Sequence, residues 1–310
     1  MSWNFGSKKK AAILAAVLGG CLMGQVAWAA EFDTAITGGT DAAYAAAGVK
    51  NGETYALAED TVIRINVVKD GTLSPDTGAV LLSGRNNIDI MMGSHNLTMD
   101  VSGDNSYLKG IHQGFSGGGN ISVEGTGLLT IDVKDGSMRS HGIATGATGQ
   151  SVTVHAPLKA TVGSRRESYG VSLGSGSTVS LLGDTDITVN KNASLSAALY
   201  AERTGGTINV NYVDGAIGSA DTKVVLNGDI YSRRVRDDYD YNEFNTVNIG
   251  LSGSDSVWNG ISGYRAEEEE DYDSFDVTIY EEGVVNLALQ NGAVWNNEAY
   301  GTGNKDVGWN

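Results

Sequence analysis

Gly142-Ile143-Ala144, Val152-Thr153-Val154 and Ala160-Thr161-Val162 are followed by Gly170-Val171-Ser172, Val179-Ser180-Leu181 and Ile187-Thr188-Val189. A third set follows: Ala198-Leu199-Tyr200, Ile208-Asn209-Val210 and Val224-Val225-Leu226. The openings Gly142, Gly170 and Ala198 stand 28 positions apart each time. Gly110-Ile111-His112 lies 32 positions before the first, and Asp229-Ile230-Tyr231 a similar distance after the last. A fixed period of this size is the mark of a solenoid. Each unit holds three short segments that alternate apolar and polar residues, which is the pattern of half-buried strands. Turns such as Gly146-Ala147-Thr148-Gly149, Gly174-Ser175-Gly176 and Gly205-Gly206 separate them.

Three strands per repeat predict an all-β fold, a right-handed parallel β-helix with about 28 residues per coil. Val152, Val154, Ile187 and Val189 then face inward, and the Ser, Thr, Asn and Asp between them face water. One coil cannot bury its inner face alone, but a stack can. Roughly ten coils about 4.8 Å apart would make a rod on the order of 45–50 Å long. An antiparallel sandwich also gives short strands and Gly turns. It has no need of a constant 28-residue recurrence, however, and the hairpin dipeptide Asn-Gly is scarce, at Asn51-Gly52, Asn227-Gly228, Asn259-Gly260 and Asn291-Gly292.

Working outward, a second repeat lies toward the C-terminus. Val247-Asn248-Ile249-Gly250-Leu251 leads to Val257-Trp258-Asn259, and Val285-Asn286-Leu287-Ala288-Leu289 leads to Val294-Trp295-Asn296. Acidic, Tyr-rich insertions near 232–245 and 264–282 accompany these copies. A run such as Glu267 to Glu270 cannot sit in a core, so these stretches read as loops leaving the rod. Before the regular region, 30–70 reads as an N-terminal cap with the first strands. Residues 41–47 there suit a short helix or loop that hides the open end of the stack. Residues 71–310 read as the β-helix itself.

Residues 1–29 read as a signal peptide. Lys8-Lys9-Lys10 precedes an apolar stretch over 11–23, and Ala27-Trp28-Ala29 fits a cleavage site after Ala29 or Ala30. The stretch is too short for a comfortable membrane span. A competing reading lipidates Cys21 within Leu18-Gly19-Gly20-Cys21, although Gly19 suits that signal poorly. Either reading sends the chain out of the cytoplasm. Cys21 is the one cysteine, so neither a disulfide nor a thiolate metal site is expected in the mature part. Net charge is −16, and without the three lysines the remainder carries 18 basic against 37 acidic residues, a net of −19. Such a surface repels phosphate backbones and excludes nucleic acid as a partner.

The signal peptide, the cysteine-free mature chain, the Gly-Ile and Gly-Val openings and the two Val-Trp-Asn units together resemble the passenger region of pertactin-like autotransporter adhesins. The resemblance spans 30–310. It implies a non-enzymatic, surface-exposed or secreted protein of the bacterial outer surface. Its partners would be host or bacterial surface molecules, glycans among them. It also implies a C-terminal outer-membrane translocator barrel. Nothing here reads as alternating barrel strands, a departure from the family pattern, so the barrel is expected in a missing C-terminal part of a longer chain, the alternative being an orphaned passenger.

Catalytic, cofactor and metal residues are not expected. Ser252-Gly253-Ser254-Asp255-Ser256 has no nucleophile order and falls where a Gly-Ser turn is due. His95, His112, His141 and His155 lack metal spacing and read as surface polar residues, though His112 and His141 flank equivalent openings. The acidic run 267–273 lacks the glycine punctuation of a calcium loop, and Gly117-Gly118-Gly119 precedes a strand, not a phosphate-cradling helix. The alternative is a polysaccharide lyase or glycoside hydrolase. It would need paired carboxyls on one face, with Asp184, Asp186, Glu202, Asp214 and Asp229 as candidates. For binding, the aromatic residues Tyr239, Tyr241, Phe244, Tyr272 and Phe275 on the acidic insertions are the expected contacts.

Overall fold

The computed structural model describes residues 36–37, 54–67, 80–82, 87–103, 107–114, 119–146, 148–201, 205–236, 242–263, 268–270 and 277–302. The expected signal peptide and the stretch 41–47 lie outside them. Among the described residues there is no helix, and so none long and apolar enough to cross a membrane.

The chain winds as a right-handed parallel β-helix with three sheets. One coil shows the plan. Strand Ser151–Val154 lies in sheet B, Leu158–Ser164 in sheet A and Glu167–Leu173 in sheet C, before Thr178–Leu181 returns to sheet B. Each strand pairs in parallel with its counterparts in the coils before and after. Among the described residues sheet A stacks nine parallel strands, from Ile36–Thr37 to Val294–Asn296.

The recurring triplets occupy successive rungs. Ile143 pairs with Val171 and Val171 with Leu199. Val152 pairs with Val179 and Val179 with Ile208. The spacing of 28 holds from Ile143 to Leu199, and 32 separates Ile111 from Ile143. The Val-Trp-Asn repeat is likewise two consecutive rungs, with Val247 on Val285 and Trp258 on Trp295. One alignment needs correction. Leu226, not Val224, stacks on Ile187, and Val224 stacks on Thr185. A slip of two residues keeps the same side chains facing inward, so alternation alone cannot detect it.

Inside, the side chains form columns. In sheet B, Ile90, Val123, Val154, Leu181, Val210, Ile249 and Leu287 follow one another rung by rung. All but Leu287, on the last rung, are buried. In sheet A, Ile63, Met99, Ile131, Ala160, Ile187, Leu226 and Trp258 form another buried column. Among the described residues the last rung is formed by Val284–Gln290 and Val294–Asn296, where Val284, Leu289 and Val294 are 38%, 47% and 44% exposed.

Sheet C bends at the glycine openings. A Cβ on Gly142 would come 2.6 Å from the Gly170 carbonyl oxygen and 3.3 Å from Val162 Cγ2. Gly142 therefore faces inward together with its neighbour Ile143, and strict alternation breaks at that corner.

The insertions are not simple loops. Asp229–Arg236 pairs antiparallel with Asn242–Phe244 and with Val277–Glu282, and Glu268–Glu270 pairs with Val277–Glu282. The acidic stretches thus carry strands of their own that extend sheet C. The run Val277-Thr278-Ile279-Tyr280 alternates, and that pattern outweighs the neighbouring charge. A smaller hairpin joins Tyr212–Val213 to Ala216–Ile217. Its turn residues Asp214 and Gly215 both have positive φ, 50° and 87°, the backbone of a tight two-residue turn.

Truncating an inward column residue should cost far more than truncating an outward one. Ile187→Ala is expected to destabilise by about 2–5 kcal/mol, and Thr161→Ala, on the exposed face of the neighbouring rung, to stay within about 0.5 kcal/mol. Denaturant melts of the two variants, read by far-UV circular dichroism, check this. Equal losses would contradict the inward and outward assignment.

Candidate functional site

The glycine corner creates a notch on the outside of sheet C, because the residues before and after it lean toward each other. Lys109 Nζ lies 3.1 Å from His112 Nε2, and His141 Nδ1 lies 2.7 Å from Ser172 Oγ. His141 and the rings of Tyr169, Tyr200 and Tyr231 run down the notch with centroid separations of 5.2, 4.2 and 4.9 Å. The Tyr169 hydroxyl donates to Glu167 Oε2 at 2.8 Å, and the same oxygen holds Arg139. Burial raises the Tyr169 phenol, helped by Tyr200 and Glu167. Burial also holds the His141 imidazole well below its ordinary value, reinforced by the charges of Lys109, His112 and Arg139.

His112 is therefore not the surface residue that the sequence suggests; it is 1% exposed. Its register partner is Ala144, while His141 stands opposite Lys109. The corner nevertheless brings the two imidazoles within electrostatic reach. His95 and His155 lie apart, each 3.8 Å from a carboxylate, Asp60 and Glu124. Hydrogen bonds from Asn96 hold the Asp60 carboxyl below its ordinary value. Among the described residues no group of three His, Cys, Asp or Glu is arranged to hold a metal.

The candidate carboxylates occupy separate structural positions. Asp184 accepts from the Lys223 amide at 2.8 Å in a turn. Asp186 is on the outer face of sheet A, in register with Lys159. Asp214 is in the hairpin turn. Asp229 is fully buried and accepts from the amides of Ile261, Tyr300 and Gly301 at 2.9, 2.9 and 3.4 Å. Glu202 lies outside the described residues. In the Ser252–Ser256 turn, Ser252 Oγ donates to the Ala220 carbonyl, and the buried Ser256 Oγ donates to the Ser252 carbonyl and accepts from the Val224 amide. Gly253 there has φ 82°, as a turn requires. Gly119 leads into strand Ile121–Gly125. Of the expected binding aromatics, Phe244 is 41% exposed, and Tyr239, Tyr241, Tyr272 and Phe275 lie outside the described residues.

A groove of about 440 Å³ runs over the outer face of sheet B. Its floor is a column of polar side chains, Ser180, Asn209, Asn248 and Asn286, in consecutive rungs. Asn286 Nδ2 donates to Asn248 Oδ1 at 2.8 Å, Asn248 Nδ2 to Asn209 Oδ1 at 2.8 Å, and Asn209 Nδ2 to Ser180 Oγ at 3.3 Å. Tyr212, Val213, Asp214 and Gly215 of the small hairpin form one wall. Sequence reading missed this feature, although the Asp214-Gly215 dipeptide carried a hairpin signal. A second cleft, about 610 Å³, lies beside the last rung between Lys191, Trp295 and Tyr300. Burial and the neighbouring Asp229 raise the Tyr300 phenol.

No family model, no curated protein and no solved structure matches this chain.

His141 should leave a signature in the pH dependence of stability. Above its ordinary pKa of 6.5 the imidazole is neutral in both the folded and unfolded chain. Below it the unfolded chain binds a proton that the packed notch resists, so stability falls as pH falls, at most by about 1.4 kcal/mol per pH unit for this group. His141→Gln should lose that component. Melts of both proteins between pH 4.5 and 7.5 test it, and parallel curves would contradict the assignment.

Proposed function

We propose that this chain is an exported, non-enzymatic binding rod of the autotransporter-adhesin passenger type, acting at the bacterial surface or in the medium. The observation that carries this reading is the division of labour between core and surface. Candidate catalytic groups are scattered or engaged in backbone hydrogen bonds, as at Asp229 and Ser256. The outer faces instead present ordered polar columns, a projecting hairpin and strand-bearing acidic insertions. Such a molecule offers extended contact area more readily than an enclosed reaction site. A parallel β-helix with Cys21 as its one cysteine, in the leader, also suits folding after threading across a membrane, because a premature disulfide cannot block passage. Its acidic surface favours solubility over association with phosphate polymers.

Export makes a direct prediction: the mature chain recovered from cells should begin at Ala30 or Glu31, as read by mass spectrometry. A chain starting at a lipidated Cys21 or retaining residues 1–29 would contradict the cleavage assignment. For binding, cells displaying the chain should adhere to host or sister cells, and deletion of 265–273 should lower adhesion severalfold while the β-sheet circular dichroism persists. Unchanged adhesion would remove that insertion from the contact surface. Release of new reducing ends or unsaturated products from a glycan panel would instead favour a lyase or hydrolase.

A further inference from the structure

We infer that the groove on sheet B binds a neutral oligosaccharide laid across the rungs, with the asparagine column as its floor and the Tyr212 hairpin as its wall. This rests on the binding-rod reading and names the ligand class for one of its surfaces.

The floor supplies the polar contacts. A carboxamide has two N–H donors and two acceptor lone pairs. The ladder uses one donor and one acceptor of the Asn248 side chain. A donor and an acceptor remain on that amide for a ligand. Ser180 Oγ accepts from Asn209, which leaves its own proton to donate. Mutual bonding fixes the amide planes, so little ordering cost remains on binding. The groups recur at the rung spacing of about 4.8 Å. That makes a straight file of paired donors and acceptors, suited to a polymer whose hydroxyls recur along its length.

The wall supplies an apolar face. Tyr212 is held by its hydroxyl, which donates to the Gly215 carbonyl at 2.9 Å. Val213 beside it is 45% exposed. An aromatic body with an aliphatic neighbour suits the C–H face of a sugar ring. The wall is also rigid at its base. Buried Asn211 donates to the carbonyls of Ser219 and Gly250 at 2.9 and 3.2 Å and accepts from the Ser219 amide at 2.8 Å. The hairpin belongs to a local insertion. Thr207 and its next partner Thr246 are 39 positions apart, against 29 for Thr178 and Thr207.

Charge narrows the ligand class. The lining holds one carboxylate, Asp214, and no Lys, Arg or His, in a chain of net charge −16. Sulfated, uronate-rich and phosphorylated polymers are disfavoured there. The floor is a row of side-chain amides standing on the face of the sheet, and only Asn286 belongs to a terminal strand. A strand edge or an apolar trough, the features that hold a peptide, does not form the lining.

The test titrates the full mature chain with neutral oligomers of glucose, galactose and N-acetylglucosamine, and with uronate and sulfated oligomers, by calorimetry. Neutral oligomers should bind, with affinity rising with length, and the acidic ones should not. Tyr212→Ala and Asn248→Leu should each weaken binding about tenfold, the loss of one or two good contacts, with the thermal transition retained. If Asn248→Leu lowers that transition, Asn286→Leu at the outer end of the column gives the same readout. Failure of every neutral oligomer to bind overturns the inference, as does unaltered binding in Tyr212→Ala and Asn286→Leu. Cells that adhere equally well with Tyr212→Ala overturn the groove's role and spare the binding-rod reading. Oligomer binding by a chain that is never exported supports the groove and overturns that reading.

Discussion

The parallel stacking of each coil on the one before is the constraint on which everything else depends. A strand in this fold is buried on its inner face only because like strands in the neighbouring coils extend that face along the axis. The sheet B column from Ile90 to Ile249 is built entirely of β-branched residues and one Leu. Each such side chain is close in shape to its neighbour, which favours dense packing along the column. Coil length can then vary freely, provided that the three strands return to register. It is 28 residues between Ile143 and Val171 and 38 between Val247 and Val285. Extra residues leave at turns or at the end of a sheet C strand, and there the rod gains surfaces that its regular faces lack.

The glycine corner is the second organising element. By turning two consecutive residues inward, it draws the flanking outward residues together into a packed notch. Register stacks Tyr231 on Tyr200, while Tyr169, whose register partner is Ala197, meets the Tyr200 ring across the corner. The notch is a satellite core on the outside of the sheet, and it explains why His141 resists protonation although its strand edges the solvent. It works as a clamp across coils, separate from the groove on sheet B.

The rung pattern, the inward residues and the Val-Trp-Asn repeat were legible because each depends on local alternation and on recurrence, both of which survive in one sequence. The notch was not. Its members are polar or aromatic, and their burial follows from a backbone bend that shows only as a glycine where a strand residue was due. His112 therefore read as surface. The strands at 268–270 and 277–282 were hidden for the opposite reason, since charge density masked a short alternating run. The asparagine column was visible residue by residue, as Asn209, Asn248 and Asn286. Its meaning depends on three rungs, separated by 39 and 38 positions, falling in line. Function was less legible than fold, because alternation is a property of the core and binding is a property of what departs from it.

Register itself raises a problem that apolar columns cannot solve. A two-residue slip of one strand over its neighbour preserves every inward position, as the alternative pairing of Val224 with Ile187 illustrates. Buried polar groups break that degeneracy. Asn245 is fully buried, accepts from the Gly206 amide at 2.9 Å and donates to the Ala201 carbonyl at 3.0 Å. Asn211 and Asp229 make comparable sets of bonds to backbone in other coils. Trp258 Nε1 donates to the Gly228 carbonyl at 3.0 Å, and Trp295 repeats the contact one rung on, to the Gly260 carbonyl at 2.9 Å. A slip would strand these groups at a cost of about 1–3 kcal/mol each. They lie close to the insertions, where coil length changes and the sequence period no longer guides pairing. Polar residues thus fix the register in this rod, and aliphatic residues supply the cohesion that the register directs.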